Sequence, residues 1–359
     1  MSLSFLYYHA MNKNILKADL LLFLAAAIWG TGFVAQRSGM QYIGPFAFNG
    51  LRFILASLFL IPFSAWHIRR ATLARTSKTT LTKSTLAIPS LLAGSCLFVA
   101  VSLQQMGILF TTAGNAGFIT GLYVVFTPIL GIFLGRKTGP ATWAGTFLTF
   151  TGLFLLSFDG GTGSLNLGDI LVAISSLFWA FHVLCIDRLV QTTNPVALSS
   201  GQFAVAGLFS LIAAFVLEAP ILAWVQNIKS SGPISTLQSW ESFPALISGL
   251  ASGAIPSSLV SNALLPVLYG GLVSGGIGYT FQVMAQRHSP PAHTTVILCL
   301  EGCFAVLGGV ILLSESVGIR TLVSFAFILS GILASQWELL FSRRRVPDIK
   351  DLPMKGIVQ

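Results

Sequence analysis

The sequence predicts an all-α polytopic membrane protein with ten transmembrane helices, arranged as two inverted five-helix repeats. Three observations lead to this fold class. Of the 359 residues, 54% are hydrophobic and only 9% are charged, which is too little polar surface for a soluble domain. Apolar runs of about 20 residues recur along the chain, and this length spans a bilayer. The pattern of these runs also restarts after half the chain.

Ten apolar runs are separated by polar connections. Backbone polar groups in lipid must be satisfied within their own segment, so each run is expected to be a helix. Glycine and proline inside several runs do not contradict this, because membrane helices tolerate both. The predicted spans are 18–36, 46–66, 86–109, 114–134, 140–158, 168–187, 197–218, 261–284, 292–313 and 317–341.

The basic residues predict the orientation. With a cytoplasmic N-terminus, sixteen lysines and arginines lie on the cytoplasmic side, and only Arg37, Lys229 and Arg320 lie on the other. Such a bias sets topology in the bilayer. We therefore expect a cytoplasmic segment at 1–17 and a basic cytoplasmic tail at 342–359. The net charge of +9 is explained by topology and does not indicate a nucleic-acid partner.

Two gapless alignments of the chain with itself reveal the repeat. Each repeat contains five spans. Because five is an odd number, the second repeat enters the membrane from the side opposite to the first. The first repeat is predicted at 18–158 and the second at 168–341. An offset of 150 pairs Asp19 with Asp169, Trp29 with Trp179, Pro45 with Pro195 and Phe53 with Phe203, and an offset of 179 pairs Ala113 with Ala292 and Gly152 with Gly331.

The long connection at 219–260 explains the change of offset and is expected outside the cell. Its composition predicts one or two short interfacial helices anchored by Trp224 and Trp240. At the other end of the chain, the first span lacks a small-residue cleavage site and is expected to be retained. Met11 is the more natural start of translation, so residues 1–10 are not expected in the native protein.

The four cysteines lie within predicted spans, so no extracellular disulfide framework is expected. Cys299 and Cys303 share a helix face, but no histidine or further cysteine completes a metal-binding set nearby. A catalytic set of paired acids, or of a nucleophile with its base, is also not found. No P-loop motif appears, which disfavours direct ATP coupling. We therefore expect no enzyme activity, no metal and no cofactor.

Inverted repeats are typical of secondary transporters, in which two halves enclose a site near the midplane. A channel, and a membrane scaffold or lipid-handling protein that transports nothing, remain the alternatives. Small residues at Gly270, Gly271, Ser274, Gly275 and Gly278 would suit the tight helix packing of such a scaffold.

Three runs carry a resemblance to a known family: WGTGFVAQRSGMQYIGPFAFNGLRF from Trp29, LQQMGILFTTAGNAGFITGLYVVFTPILGIFLG from Leu103, and PPAHTTVILCLEGCFAVLGGVILLSE from Pro290. The chain resembles the EamA-like branch of the drug/metabolite transporter superfamily. The resemblance implies a plasma (inner) membrane transporter, often exporting amino acids or other small metabolites, with helices 3, 4, 8 and 9 around a central cavity. The Gly-Glu pair common after the fourth helix is Gly135-Arg136 here, and Ser314-Glu315 follows the ninth.

Glu301 is the principal candidate for function. It lies about nine residues into the ninth span, near the centre of the bilayer at a helical rise of about 1.5 Å per residue. A carboxylate at this depth is costly and is usually functional. One that can gain and lose a proton suits proton-coupled exchange, and the resemblance places this Glu beside the cavity. A permanently protonated Glu that bonds a neighbouring helix is the alternative.

Arg52 in span 2 aligns with Gln202 in span 7. An arginine cannot deprotonate, so it needs a carboxylate, carbonyl groups or water as a partner. Arg52 and Glu301 are offset by roughly 10 Å along the membrane normal, so direct contact between them is not expected. Arg52 is a candidate to bind an anionic substrate group, and a structural pairing with a carbonyl group or Asn49 is the alternative.

The other candidates for the substrate or proton pathway are polar or aromatic residues within the spans. His182 could share a proton with Glu301, although a packing role is more common for such a histidine. Gln104 and Gln105 point about 100° apart on a helix, so at most one faces a cavity. The remaining candidates are Asn115, Tyr123, Gln202, Gln282, Trp29 and Trp179. The expected partners are a small-molecule substrate, protons and the lipid bilayer.

Overall fold

The computed structural model describes residues 3–40, 42–74, 84–111, 113–157, 167–229, 257–313 and 318–341, with the single positions 248 and 252. Throughout these ranges the secondary structure is helical, and no strand occurs among them. The helices of the first half are α1 (Leu3–Gly39), α2 (Pro45–Ala74), α3 (Ser84–Ile108), α4 (Ala113–Thr120), α5 (Tyr123–Phe133) and α6 (Pro140–Ser157).

The second half repeats this order with one additional break. A π-helical segment, Tyr269–Tyr279, joins the two parts of the eighth span. The helices are α7 (Leu167–Leu189), α8 (Pro195–Lys229), α9 (Ser257–Leu268), α10 (Thr280–Ala285), α11 (Pro291–Leu298), α12 (Leu300–Leu313) and α13 (Ile319–Phe341).

Eight helical segments of the described chain are long and apolar enough to cross a bilayer, and 319–335 forms a shorter apolar helix. Helix α6 occupies the position of the remaining predicted span, 140–158. The all-α polytopic fold is therefore confirmed. Large apolar side chains cover its outer surface, among them Phe133, Leu265 and Ile311, as expected for groups that face lipid.

Three helices extend beyond the predicted spans. Helix α1 begins at Leu3, α2 continues to Ala74, and α8 continues to Lys229. Hydropathy locates only the apolar part of a helix, whereas backbone hydrogen bonds continue the helix into polar surroundings. Of the connection at 219–260, the first part up to Lys229 continues α8, and the interfacial helices stay a prediction for the remainder. Trp240 lies outside the described residues.

The two halves are related by an approximate two-fold axis. Phe53 stacks on its repeat equivalent, Phe203, with ring centroids 5.6 Å apart and an interplanar angle of 3°. A two-fold axis exchanges Phe53 and Phe203. Because these two rings are in contact, the axis passes between them. Helix α2 accordingly packs against its equivalent α8, and α6 packs against its equivalent α13.

The contact between α6 and α13 shows the same symmetry at the level of glycines. A Cβ added at Gly152 would lie 2.7 Å from the carbonyl oxygen of Ser324. The repeat equivalents of Gly152 and Ser324 are Gly331 and Gly145. A Cβ at Gly331 would likewise lie 2.6 Å from the carbonyl oxygen of Gly145. Glycine is thus required on both sides of the axis for the two helices to approach closely.

The fourth span of each repeat is broken at the same position. Helix α4 ends at Thr120 and α11 ends at Leu298, next to Cys299, which is the equivalent of Thr120. The two breaks touch, because the Cys299 thiol donates to the carbonyl oxygen of Gly121 at 3.6 Å. Transporters with inverted repeats bind their substrates at such discontinuous helices.

The unusual Gly135-Arg136 pair ends α5 in a defined way. Gly135 adopts φ +73°, a conformation that favours glycine. Arg136 then forms an ion pair with Asp187 near the end of α7. The arginine at this site therefore has a carboxylate partner on a neighbouring helix. Glu315, its counterpart in the second repeat, lies outside the described residues.

Candidate functional site

A cavity lies between the two repeats. It is bordered by the first spans of both halves, by α2 and α3, by the two broken helices and by the π-helical segment. Seven of the residues selected from the sequence line it: Trp29, Arg52, Gln104, Tyr123, Trp179, Gln282 and Glu301.

Glu301 lies on the cavity wall, one residue into α12 after the helix break. It is 4% exposed, and Tyr123 donates a hydrogen bond from its hydroxyl to Oε1 at 3.1 Å. Because Tyr123 is the first residue of α5, the breaks in both repeats hold this pair. No ion pair to Glu301 is found within the described part of the chain.

Arg52 lines the same cavity from α2 and is 2% exposed. Its guanidinium carbon lies 4.6 Å from the Phe53 ring centroid and 5.5 Å from that of Phe48. Its Nε atom has no hydrogen-bond partner among the described residues, and no carboxylate of that set forms an ion pair with it. Asn49 donates instead to the carbonyl oxygen of Val101, at 3.4 Å. The guanidinium is thus a buried cation with two aromatic rings close to it.

His182 and Gln202 form a closed pair behind the cavity. His182 Nε2 and Gln202 Oε1 are 2.9 Å apart, and both residues are fully buried. Neither side chain lines the cavity. The predicted sharing of a proton between His182 and Glu301 would therefore need an intermediary, because the direct partner of the imidazole is Gln202.

Aromatic rings form one wall. Trp29 and its equivalent Trp179 lie on either side of Tyr279, with centroid distances of 4.5 and 6.0 Å. Trp29 Nε1 donates to the carbonyl oxygen of Ser274 at 3.3 Å, whereas Trp179 Nε1 has no partner in the described residues. This wall offers an apolar surface to a bound molecule, and the unpaired Trp179 Nε1 is itself buried.

The predicted amide residues differ in their positions. Gln104 faces the cavity and donates to Thr120 Oγ1 at 2.8 Å. Gln105 is fully buried away from the cavity, and its side-chain amide has no partner among the described residues. Gln282 faces the cavity, donates to Gln286 at 3.1 Å and keeps its Oε1 free of such partners. Asn115 lies in α4, but its side chain is outside the described set.

No group of three or more His, Cys, Asp or Glu side chains that could hold a metal ion occurs in the described chain. The arrangement can therefore bind a small polar molecule through a carboxylate, a guanidinium and neutral amides, with aromatic rings against its apolar part.

A model of the EamA-like transporter family matches residues 16–158 and 166–336. The chain belongs to this family. The two matched ranges together cover most of the chain, and the observed two-repeat architecture fits the family.

Known relatives of this EamA-like protein are transporters by name. An uncharacterized transporter of Archaeoglobus fulgidus is 28% identical over 89% of this chain and 86% of its own length. The uncharacterized inner membrane transporter YedA of Escherichia coli is 24% identical over 54% of this chain and 61% of its own. A crystal structure with 17% identity and a TM-score of 0.62 covers 89% of this chain and 96% of its own, and shows the fold. The protein is therefore a multi-pass membrane transporter.

Sequence reasoning missed several residues of the cavity in this EamA-like chain. Gln36, Thr120 and Ser274 are polar groups on its wall, and Phe33 is an apolar one. A signal for Gln36 was present, because residues 29, 33 and 36 follow the i, i+4, i+7 spacing of one helix face. Ser274 lies in the π-helical segment, where ordinary helical spacing does not apply.

Proposed function

We propose that this membrane transporter is a secondary transporter of the inner membrane. It exports a small metabolite, an amino acid or a related compound, by alternating access. One observation carries the proposal: a buried carboxylate, Glu301, and a buried guanidinium, Arg52, line a single cavity where the broken helices of the two repeats meet. Ionisable groups inside the membrane are costly and mark substrate or ion pathways.

The two charged groups suit a molecule that itself carries both charges. A carboxylate of the substrate would face Arg52, and an amino group would face Glu301. The rings of Trp29, Trp179 and Tyr279 would contact an apolar side chain. A zwitterionic amino acid satisfies all three contacts.

Proton coupling is assigned to Glu301 within this proposal. In its neutral form the carboxyl group is a weaker partner for a cationic substrate than in its ionised form. Substrate and proton would therefore compete for the same oxygens, which links their movements in opposite directions. Tyr123, whose hydroxyl lies 3.1 Å from Oε1, would hold the carboxyl group in place in both states.

The orientation belongs to the same proposal, with both termini in the cytoplasm, as the distribution of basic residues predicts. Reporter fusions to the C-terminus test it, since alkaline phosphatase is active only outside the cytoplasm and a fluorescent protein only inside. Phosphatase activity of the fusion would show that the C-terminus lies outside the cytoplasm. The proposed direction of transport would then be the opposite one.

The function is tested by counterflow in proteoliposomes with labelled amino acids and small metabolites, with and without a proton gradient. Flux that responds to the gradient, and a loss of this response in Glu301→Gln, would support the proposal. Glu218→Gln is the matched control, because Glu218 is fully buried but lies outside the cavity. Flux that ignores the gradient and tolerates Glu301→Gln would indicate a facilitator. Absence of flux for every compound would favour a scaffold or lipid-handling role.

A further inference from the structure

The two repeats differ at one pair of neighbouring positions beside the cavity. In the second repeat this pair is His182 and Gln202, which are hydrogen-bonded at 2.9 Å and fully buried. An offset of 150 assigns Gly32 and Arg52 as their equivalents in the first repeat. The first repeat therefore has a cation where the second has an amide, and no side chain where the second has an imidazole.

Packing does not require glycine at position 32. A Cβ added there would lie 3.7 Å from Ser274 Oγ, 3.9 Å from Tyr269 Cε1 and 4.0 Å from Gln36 Nε2, which are ordinary contact distances. Gly30 lies two residues earlier on the same helix. It differs from Gly32 because a Cβ there would lie 2.6 Å from the carbonyl oxygen of Glu301. Glycine at 30 allows α1 to approach α12, whereas position 32 has room for a methyl group beside Ser274 and Gln36 of the cavity wall.

The groups around this space are suited to an anion. Arg52, Gln36 and Ser274 all line the cavity, and their exposures are 2%, 8% and 3%. Arg52 Nε has no hydrogen-bond partner among the described residues, and Gln36 Nε2, a donor, lies 4.0 Å from the position of a Cβ at Gly32. A buried charge without a partner is costly, and aromatic faces compensate for only a small part of that cost. The arrangement thus supplies a cation, an amide and a hydroxyl group, and the Arg52 Nε donor lacks an acceptor among the described residues.

We propose that the space beside Gly32 is a subsite for the anionic group of the transported molecule. The anion would occupy the place that the His182 imidazole fills in the other repeat. Arg52 would bind it through its guanidinium, and Gln36 and Ser274 would donate further hydrogen bonds. This subsite rests on the proposed function, since it assumes that the cavity is the binding site, and it assigns the anionic end of the substrate to the first repeat.

The subsite is tested without knowledge of the substrate by labelling a cysteine at its centre. Gly32→Cys is made in a chain whose four native cysteines are replaced by serine or alanine. Purified protein in lipid nanodiscs is treated with two thiosulfonate reagents of similar size, one bearing a sulfonate and one a trimethylammonium group. Gly318→Cys is the control for intrinsic reactivity, because a Cβ at Gly318 has no atom within 4 Å.

Relative to the control, we expect the sulfonate reagent to react with Cys at position 32 at least about tenfold faster than the cationic one, because Arg52 lines the same cavity as the neighbours of Gly32 and charges interact strongly inside a protein. Arg52→Gln should abolish this preference, and Arg52→Lys should retain most of it. Equal rates for the two reagents, a preference that survives Arg52→Gln, or the absence of labelling by either reagent would overturn the subsite. The proposed transport function would be unaffected by such a result, because the labelling requires no flux.

A second measurement connects the subsite to transport. For any compound transported in the counterflow panel, Gly32→Ala should raise the KM at least about tenfold for a carboxylate, since a methyl group fills the place of the anion. A neutral amide analogue should be affected much less. An equal effect on both compounds would overturn the subsite, whereas failure of the whole panel would count against the proposed function.

Discussion

The first and second repeats share one scaffold but contribute opposite charges to the cavity. Glu301 comes from the second repeat, and its equivalent in the first, at an offset of 179, is Leu122. Arg52 comes from the first repeat, and its equivalent in the second is Gln202. Each half therefore supplies one charged group and leaves the corresponding position of the other neutral. Duplication provides the frame, and divergence at a few positions creates the polarity of the site.

The repeats also differ at the start of their second helix. Asn194 caps α8 in the second repeat, because its Oδ1 accepts from the backbone N–H groups of Val196 and Ala197 at 3.0 and 3.1 Å. Its equivalent in the first repeat is Gly44, which has no side chain. The carboxylate of Glu218, from α8, accepts from the Ala47 N–H at 2.7 Å instead. One repeat thus caps its own helix, and the other is capped by its partner.

The first helices of the repeats are anchored by different partners. Asp19 accepts from or pairs with His293 Nε2 at 2.9 Å, and the other ring nitrogen of His293 lies 3.0 Å from Ser335 Oγ. Its equivalent, Asp169, accepts from Thr111 Oγ1 at 2.6 Å. The Asp19 contact joins α1 to α11, and the Asp169 contact joins α7 to Thr111, which lies in the connection between α3 and α4. The partner, an imidazole in one case and a hydroxyl in the other, is what distinguishes them.

The largest effect is expected for Glu301→Leu, which gives the second repeat the residue of the first. Without a carboxylate no group on the cavity wall exchanges a proton, so gradient-driven flux should fall to the level of empty liposomes. Counterflow with the panel described above measures it. Retention of gradient-driven flux would show that the charge difference at this position is not functional.

Arg52→Gln makes the complementary change, since it gives the first repeat the residue of the second. Loss of a charge-assisted contact of about 1.5–3 kcal/mol should raise the KM for a carboxylate substrate about 10- to 100-fold. Removal of an unpartnered buried cation should also leave the melting temperature in detergent unchanged or higher. Arg136→Gln is the control, because Arg136 is paired with Asp187 outside the cavity. A marked fall in melting temperature with an unchanged KM would assign Arg52 to structure.

Glu218→Ala tests the helix cap that crosses the repeats. Loss of the acceptor leaves the buried Ala47 N–H unsatisfied, and we expect a destabilisation of about 1–3 kcal/mol. Thermal unfolding in detergent, followed by circular dichroism, measures it. Gly44→Asn alone should also destabilise, because a Cβ at Gly44 would overlap the Glu218 carboxylate.

The double variant Gly44→Asn/Glu218→Ala should be more stable than the sum of the single changes indicates, since it transfers the self-capping arrangement of the second repeat to the first. If the effects of the two substitutions on the free energy of unfolding simply add, the proposed difference between the caps of the two repeats is wrong.

The smallest effect is expected for Asn194→Ala, which removes the self-cap of α8. N-cap replacement by alanine costs about 1 kcal/mol. The melting temperature in detergent should therefore fall less than in Glu218→Ala. Asn194→Ser should restore most of the loss, because a serine hydroxyl also accepts from the first turn. An Asn194→Ala variant less stable than Glu218→Ala would reverse the order proposed for the two caps.

Much of the fold followed from hydropathy and self-alignment, because lipid requires long apolar helices and a repeat preserves its spacing. The candidate site was only partly predictable. Depth along a helix can be counted from the sequence, so Glu301 and Arg52 were identified as buried charges. The rotation of a helix about its axis depends on its neighbours, and for this reason Gln36 was missed and Gln105 was included.

The sequence by itself determined the membrane-spanning helices, the antiparallel relation of the two halves and the presence of two lone charges within the apolar segments, because composition and periodicity encode these directly. Only the tertiary structure decided where the fourth spans break, that His182 pairs with Gln202, and that Gly32 lies beside Gln36 and Ser274 of the cavity wall. These features depend on which side chains meet across helices that are distant in the chain. No local pattern specifies such contacts.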